Sequence, residues 1–240
     1  MEKLQSGAKE LGLELTPAQL EQFDSYYREL LDWNRRVNLT AITGCEEVQL
    51  KHFLDSLTVT LGCNLQANQK DLRIIDVGTG AGLPGIPLKI AFPSVKLVLL
   101  EATAKKADFL SHIIQKLGLD DVEIVVGRAE DVAHQPQYRE KFNLVLSRAV
   151  AALPTLAELT LPFSAVGGSF IAQKKGVIDE EISRAGRAIG LLGGSLREVK
   201  EVALPSLPNG RCLVVIDKLS PTPEKYPRRP GLPAKRPLLP

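Results

Sequence analysis

Cysteine is scarce, and Cys45, Cys63 and Cys212 stand far apart with no C-x-x-C pair among them. That excludes a disulfide scaffold and a cysteine zinc site; it fits a reducing cytosol, with the three thiols expected as buried structural groups. His52, His112 and His134 are equally scattered and form no H-E-x-x-H pair, so a catalytic metal has no support. Long apolar runs are missing too. None approaches the roughly 20 residues needed to cross a bilayer, and Met1-Glu2-Lys3-Leu4-Gln5 is no apolar signal segment, so a cytoplasmic chain with no membrane partner is expected. No internal repeat is visible. With 240 residues and 44% hydrophobic composition, the chain suits one sizeable α/β domain with a short helical extension rather than two domains.

Net charge is also slight, at +2, yet unevenly spread. The first fifty residues hold five cations against nine acids, whereas residues 218–240 hold Lys218, Lys225, Arg228, Arg229, Lys235 and Arg236 against Glu224 alone. Seven prolines in the last twenty residues make this tail an extended segment unable to form a helix or a core. It is either a solvated terminus or a strip for a polyanion.

What is present in abundance is glycine in one place. Ile74-Ile75-Asp76-Val77 reads as a buried parallel strand and runs into Gly78, Gly80, Gly82 and Gly85, which clear side chains from a turn where main chain must meet a ligand. Pro84 and Pro87 suit the first turn of a following helix. Gly80-Ala81-Gly82-Leu83-Pro84-Gly85 satisfies the dinucleotide pattern G-x-G-x-x-G, so a nicotinamide or flavin enzyme is one reading. Asp76 and Gly78 ahead of it argue otherwise, because a carboxylate repels a pyrophosphate and tolerates an ammonium. The order acidic-x-Gly-x-Gly-x-Gly resembles the first motif of class I S-adenosylmethionine-dependent methyltransferases.

The following strands agree. Val95 to Leu100 ends at Glu101, nineteen residues after Gly82, where a nucleoside-binding βαβ unit places the acceptor for two ribose hydroxyls; Ala102 and Thr103 follow it. A crossover helix is expected over 104–117, with Ala107, Leu110, Ile113, Ile114 and Leu117 on one face. Strands at 122–126 and 142–146 lead into Ala129-Glu130 and Ser147-Arg148-Ala149. These segments all fall at carboxyl ends of parallel strands, where open sheets bind ligands. Arg148 is either an ion pair to Glu130 or Asp131, or a bidentate clamp for a methionine carboxylate or a substrate phosphate.

Thr16-Pro17-Ala18-Gln19 is a helix start with a capping box. A second helix near 46–61 is expected to bury Phe53, Leu54, Leu57 and Leu61 and to show Lys51, His52, Asp55 and Ser56. Trp33 reads as packing rather than a base-stacking platform. After a helix at 153–163, Gly168 to Gln173 is a strand leaving through Lys174 and Lys175; a helix at 179–192 and strands at 196–202 and 211–216 complete seven strands.

Trp33-Asn34-x-x-x-Asn38-Leu39-Thr40, His52-x-x-Asp55-Ser56, the glycine turn, Arg128-Ala129-Glu130, Ser147-Arg148-Ala149 and the ending Tyr226 to Leu238 together resemble the glucose-inhibited division protein B family. The likeness runs from about residue 20 to the C-terminus; residues 1–15 match nothing particular. It implies a class I, Rossmann-like S-adenosylmethionine-dependent methyltransferase fold, α/β with a seven-stranded mostly parallel sheet. The chain is expected to divide into an N-terminal helical extension (1–62), a core (63–219) and a basic tail (220–240). The activity implied is methyl transfer to guanine N7 in 16S ribosomal RNA, on the small ribosomal subunit or its assembly intermediate, by a monomer. Cofactor contacts are implied at Gly78, Leu83, Ala129, Glu130 and Arg148, with Glu101, Ala102 and Thr103 close to the ribose and adenine, and the glycine turn adds Gly80 and Gly82 to the expected contacts. An RNA-binding rim is expected from Arg35, Arg36, Lys174, Lys175, Arg211, Arg228 and Arg229. Guanine N7 carries a free lone pair, so no catalytic base is named. The rivals are a methyltransferase of small molecules or proteins, disfavoured by the basic tail, and an RNA-binding assembly factor with a vestigial nucleotide site, disfavoured by the intact glycine turn, Glu101 and Arg148.

Overall fold

Apolar side chains alternate along the parallel strands and build two cores, one on each face of a central sheet. The computed structural model describes residues 1–65, 72–148 and 150–239, so Ala149 lies outside the described residues. Ile74, Leu97, Leu99, Leu144 and Leu146 join Phe23, Leu30, Phe53 and Phe109 on one face; Ile75, Val98, Leu100, Val145 and Phe170 join Leu153, Leu156, Ala185 and Ile189 on the other. The strands are β1 (Arg73–Val77), β2 (Lys96–Glu101), β3 (Val122–Val126), β4 (Phe142–Arg148), β5 (Ser164–Lys175), β6 (Gly194–Glu201) and β7 (Arg211–Lys218). Their order is β3-β2-β1-β4-β5-β7-β6, with β7 antiparallel to β5 and β6 and the rest parallel. This is the expected seven-stranded sheet. Strand order reverses between β1 and β4, which opens a crevice at their carboxyl ends.

The helices are α1 (Glu2–Glu10), α2 (Pro17–Asn34), α3 (Cys45–Val48), α4 (Asp55–Leu57), α5 (Gly85–Ala91), α6 (Ala104–Leu117), α7 (Ala129–Val132), α8 (Leu153–Thr160), α9 (Asp179–Leu191) and α10 (Leu232–Lys235). The Thr16–Gln19 capping box starts α2, with both reciprocal bonds formed. Helix α6 spans the expected residues because its apolar stripe ends at Gly118, whose φ of +61° closes the C-terminus. Trp33 packs on Phe109 and His112, as read from the sequence.

Several expectations are corrected. The second helix is a segmented run: a π-helical stretch over Gln49–Leu54 joins α3 to α4, and a 3-10 turn over Thr58–Leu61 ends it. His52 and Ser56 lie inside rather than outside, since the Thr40 hydroxyl and the His52 carbonyl give them partners there. Of the thiols only Cys212 is buried; Cys45 is exposed. Residues 1–15 contribute α1, whose Leu4 and Ala8 enter the core.

The tail departs most from expectation. It docks on the core instead of extending into solvent, with Thr222, Tyr226 and Pro233 buried and a short helix, α10. Its prolines cost little because side chains of the core satisfy its main chain: Arg139 donates to the carbonyls of Thr222 and Tyr226, and Glu158 accepts from the Arg228 amide.

Candidate active site

Four strand ends and the docked tail meet at the crevice. Leaving β1, Gly78 and Thr79 donate main-chain N–H groups to the Leu100 carbonyl, at 2.9 and 3.1 Å, which pins the glycine turn to β2. Asp76 braces the turn from beneath: its Oδ2 accepts from the Thr79 hydroxyl at 2.6 Å and the Gly85 amide at 2.9 Å. Burial pushes the Asp76 carboxyl up to about 6, against the pull of those two donors. Its second oxygen, Oδ1, is buried without a partner among the described residues. On the other side the Tyr26 hydroxyl donates to the Ala81 carbonyl, and burial drives that phenol's pKa upward.

Gly80 has φ +60°, and a Cβ there would meet nothing within 4 Å. The position is left-handed and open, so a ligand can approach its main chain directly. Gly82 is tighter, because a Cβ would fall 2.3 Å from Ile86 Cδ1.

Glu101 closes the end of β2. Its Oε2 accepts from the Gly80 amide at 3.0 Å and its Oε1 from the Thr103 amide at 2.9 Å, and the residue is buried. A carboxylate so oriented keeps lone pairs for further donors. After β3, Glu130 Oε1 accepts from the Gly231 amide at 2.9 Å and from Arg128 Nη2 at 3.3 Å. Burial alone raises the Glu130 pKa, but the Gly231 amide and Arg128 hold it below the usual range.

A crevice of about 270 Å³ lies between these groups, lined by Gly78, Ala102, Ala129 and Glu130, with Val150 and Pro233 among its apolar walls. Glu101, Gly80 and Thr103 form its underlying bonded frame, and Gly82 and Leu83 are buried in the turn. A larger surface hollow of about 670 Å³ beside α1 and α2, lined by Glu21, Asp24, Arg28 and Glu29, is remote from the strand ends and has no glycine turn.

Arg148 leaves β4 close enough to the glycine turn for its charge to act on Asp76 and Tyr26. It pairs with neither Glu130 nor Asp131; its Nη1 donates to Asp55 Oδ2 at 3.0 Å, and it lines a separate pocket of about 450 Å³. Asp55 is the residue the sequence reading left without a role. Its partners Arg148 and Arg211 are distant in sequence, and only the His52-x-x-Asp55-Ser56 pattern hinted at it.

The expected RNA rim also divides. Arg35, Arg36, Lys175 and Arg229 are exposed. Lys174, Arg211 and Arg228 are engaged by Glu181, Asp55 and Glu158, because each of those carboxylates is itself at least three-quarters buried and requires a cation. Arg36 also lies 4.8 Å above the Trp33 ring.

The chemistry of the crevice suits a nucleoside carrying a cationic amino-acid group. Open main chain at Gly80, acceptor capacity at Glu101 and the unpartnered Asp76 Oδ1 beneath the turn are complementary to an amino-acid end, two ribose hydroxyls and positive charge. No group of three or more potential metal ligands occurs among the described residues. No helix among the described residues is long and apolar enough to cross a membrane.

Comparison with known proteins fits this chemistry. The GidB family model, described as rRNA small subunit methyltransferase G, matches residues 19–207. The Ribosomal RNA small subunit methyltransferase G of Dehalococcoides mccartyi (strain CBDB1) is 55% identical over 239 residues, covering 100% of both chains. Among solved structures, precorrin-6y C5,15-methyltransferase from Geobacter metallireducens GS-15 superposes with a TM-score of 0.51 at 15% identity, over 69% of this chain and 87% of that one. TYW2 of M. jannaschii in complex with AdoMet does so with a TM-score of 0.50 at 18% identity, over 63% and 70%. The two structures share the fold.

Proposed function

We propose that this chain, which belongs to the rRNA small subunit methyltransferase G family, transfers a methyl group from S-adenosylmethionine to N7 of one guanine in 16S ribosomal RNA. The observation that carries the reading is the joining of the glycine turn to Glu101 through the Gly80 amide, at the point where strand order reverses. When bound, S-adenosylmethionine supplies an electrophilic methyl on a sulfonium. The chain's own residues bind and orient. The glycine turn of Gly78, Gly80 and Gly82, open at Gly80, receives the amino-acid end, with Leu83 packed behind it. Glu101 accepts from the ribose hydroxyls, the Ala102-Thr103 segment flanks them, and Ala129 with Glu130 borders the adenine.

Val150, Leu159 and Pro233 exclude water from the crevice, so nucleophile and methyl meet in a desolvated, fixed alignment worth several kcal/mol, about 7 or more in favourable cases. No general base is required, because guanine N7 is unprotonated at neutral pH. Arg128 and Glu130 are the only ionisable groups among the described residues that line the crevice.

The helices of 1–62 and the tail of 220–240 flank the 63–219 core, and RNA finds its footing on Arg35 and Arg36 of the helices, Lys175 at the end of β5 and Arg229 of the tail. The substrate is the small ribosomal subunit or an assembly intermediate, met in the cytoplasm by a monomer without a metal. Mass spectrometry of ribosomal RNA from a strain lacking the gene tests the reading: loss of one 7-methylguanosine is expected, and an unchanged content contradicts it.

A further inference from the structure

The docked tail is fastened at its two ends and held lightly between them. At the near end Arg139 donates to the Thr222 and Tyr226 carbonyls at 2.8 and 2.9 Å, Glu140 Oε1 accepts from the Thr222 amide at 2.6 Å, and Arg228 is paired with the buried Glu158. At the far end Arg187 Nη1 donates to the Leu239 carbonyl at 3.0 Å, and Leu238 packs against the apolar core. Among the described residues, two hydrogen bonds tie 229–237 to the core. The Gly231 amide donates to Glu130 Oε1 at 2.9 Å, and the Thr155 hydroxyl donates to the Pro233 carbonyl at 3.2 Å.

That lightly held stretch walls the crevice, where Pro233 and Ala234 face a site otherwise lined by strand ends, the loops that leave them and α8. At about 270 Å³ the crevice falls below the roughly 300–1,000 Å³ usual for ligand pockets, so a wall must yield to a nucleoside with an amino-acid chain. The tail stretch is the wall with the fewest ties. Its other side is cationic: residues 229–236 hold Arg229, Lys235 and Arg236 and no carboxylate. All three are exposed, and their side chains have no carboxylate partner among the described residues. Arg128, exposed on the rim, shares Glu130 Oε1 with the Gly231 amide, and the Lys235 amide donates to the Gly231 carbonyl at 3.2 Å. A seated stretch therefore sets the tail's cations beside Arg128, and a lifted one parts them.

We propose that residues 229–236 are a strap shared by two ligands: Pro233 and Ala234 close its inner side over the cofactor, while Arg229, Lys235 and Arg236 on its outer side meet phosphates of the substrate RNA, so that each ligand tightens the binding of the other. The inference rests on the RNA methyltransferase reading and deepens it by coupling its two substrates. A ligand shifts an equilibrium only by preferring one state, and here both prefer the seated strap. The cofactor gains an apolar wall, and the RNA gains the tail's cations next to Arg128. The coupling is reciprocal. Once the methylated RNA departs, the strap lifts more readily and S-adenosylhomocysteine leaves.

The test measures the affinity of tritiated S-adenosylhomocysteine by equilibrium filtration for wild type and a Lys235→Ala, Arg236→Ala double variant, each with and without saturating small subunits. Wild type is expected to bind it about fivefold tighter or more when subunits are present. The double variant should match wild type without subunits, since neither side chain lines the crevice, and should lose most of the gain with them. Equal wild-type affinity in both conditions, or the full gain in the double variant, overturns the proposal. If the double variant does not fold, Arg229→Ala is read in the same way. If wild type methylates no subunit, the functional reading fails separately. A single-stranded RNA oligonucleotide at saturation then replaces the subunits, with a gain lost in the variant supporting the strap and no gain overturning it. Absence of any S-adenosylhomocysteine binding to wild type overturns both.

Discussion

Arg228 grips Glu158 with both ends of its guanidinium, Nε to Oε1 at 2.9 Å and Nη2 to Oε2 at 2.7 Å, while its main-chain amide adds 2.8 Å to Oε1. Glu158 is fully buried on α8, so this pair fastens the tail to the core. Three residues later the Gly231 amide reaches Glu130 at the crevice. Arg228→Ala leaves a buried carboxylate without its cation and is expected to cost about 3–5 kcal/mol. Urea denaturation measures that loss. Limited proteolysis should cut within 219–225 in the variant first, and cofactor affinity should drop because Glu130 loses the Gly231 amide.

Gly80→Val places a branched side chain at φ +60°, in the open space a cofactor's main-chain contact needs. The left-handed backbone costs about 1–2 kcal/mol, which the sheet tolerates. Calorimetry with S-adenosylmethionine should detect no binding while the circular dichroism spectrum stays that of wild type. Normal affinity would remove the turn from the binding site.

Tyr26→Phe deletes the hydroxyl that donates to Ala81 in the turn. The carbonyl is left buried without its partner, an expected loss of about 1–3 kcal/mol in urea denaturation. Weaker cofactor binding should accompany it, since the turn loses its brace on the α2 side.

The Asp76 carboxyl titrates at about 6 in the folded chain, raised by burial above its ordinary value. The folded state therefore binds more protons than the unfolded one between the ordinary carboxylate range and about 6, and Asp76's contribution to stability is lost as pH rises through that window. A cationic ligand over the turn favours the ionised form. Cofactor affinity should fall as pH drops below about 6, with proton release on binding near that pH, and Asp76→Asn should abolish the release. Calorimetry in two buffers of different ionisation enthalpy reads it directly.

Arg35, Arg36, Lys175 and Arg229 are exposed, with Arg35 and Arg36 sharing Asp32 as a solvent-exposed ion-pair partner that phosphates would displace. Replacing any one that meets a phosphate with Ala should lower the slope of log affinity against log salt by about 0.7–0.9. Filter binding across a salt series checks this. A slope unchanged in all four variants would place the RNA on another face.

Local patterning made most of the fold legible. Helix α6 could be bounded because its apolar period and Gly118 sit in adjacent sequence, and the glycine turn because main-chain access demands glycine wherever it occurs. The same reading missed Asp55, whose ligands Arg148 and Arg211 lie on β4 and β7, far from it in the chain. It took the tail as extended because proline content speaks of the tail alone. Glu158 within the apolar run Leu153-Pro154-Thr155-Leu156-Ala157 held the missing signal, since a carboxylate on a buried helix face requires a cation from somewhere. Ser56 and His52 looked outward for a similar reason. Their polarity was visible, and the partners that let them turn inward were not.

Small subunits from cells lacking this gene, incubated with the protein and methyl-tritiated S-adenosylmethionine, give the most direct measurement of the account. The label should enter 16S ribosomal RNA in a single fragment and be recovered after digestion as 7-methylguanosine. Label found on another nucleoside, on protein or small molecules alone, or nowhere at all, would contradict it.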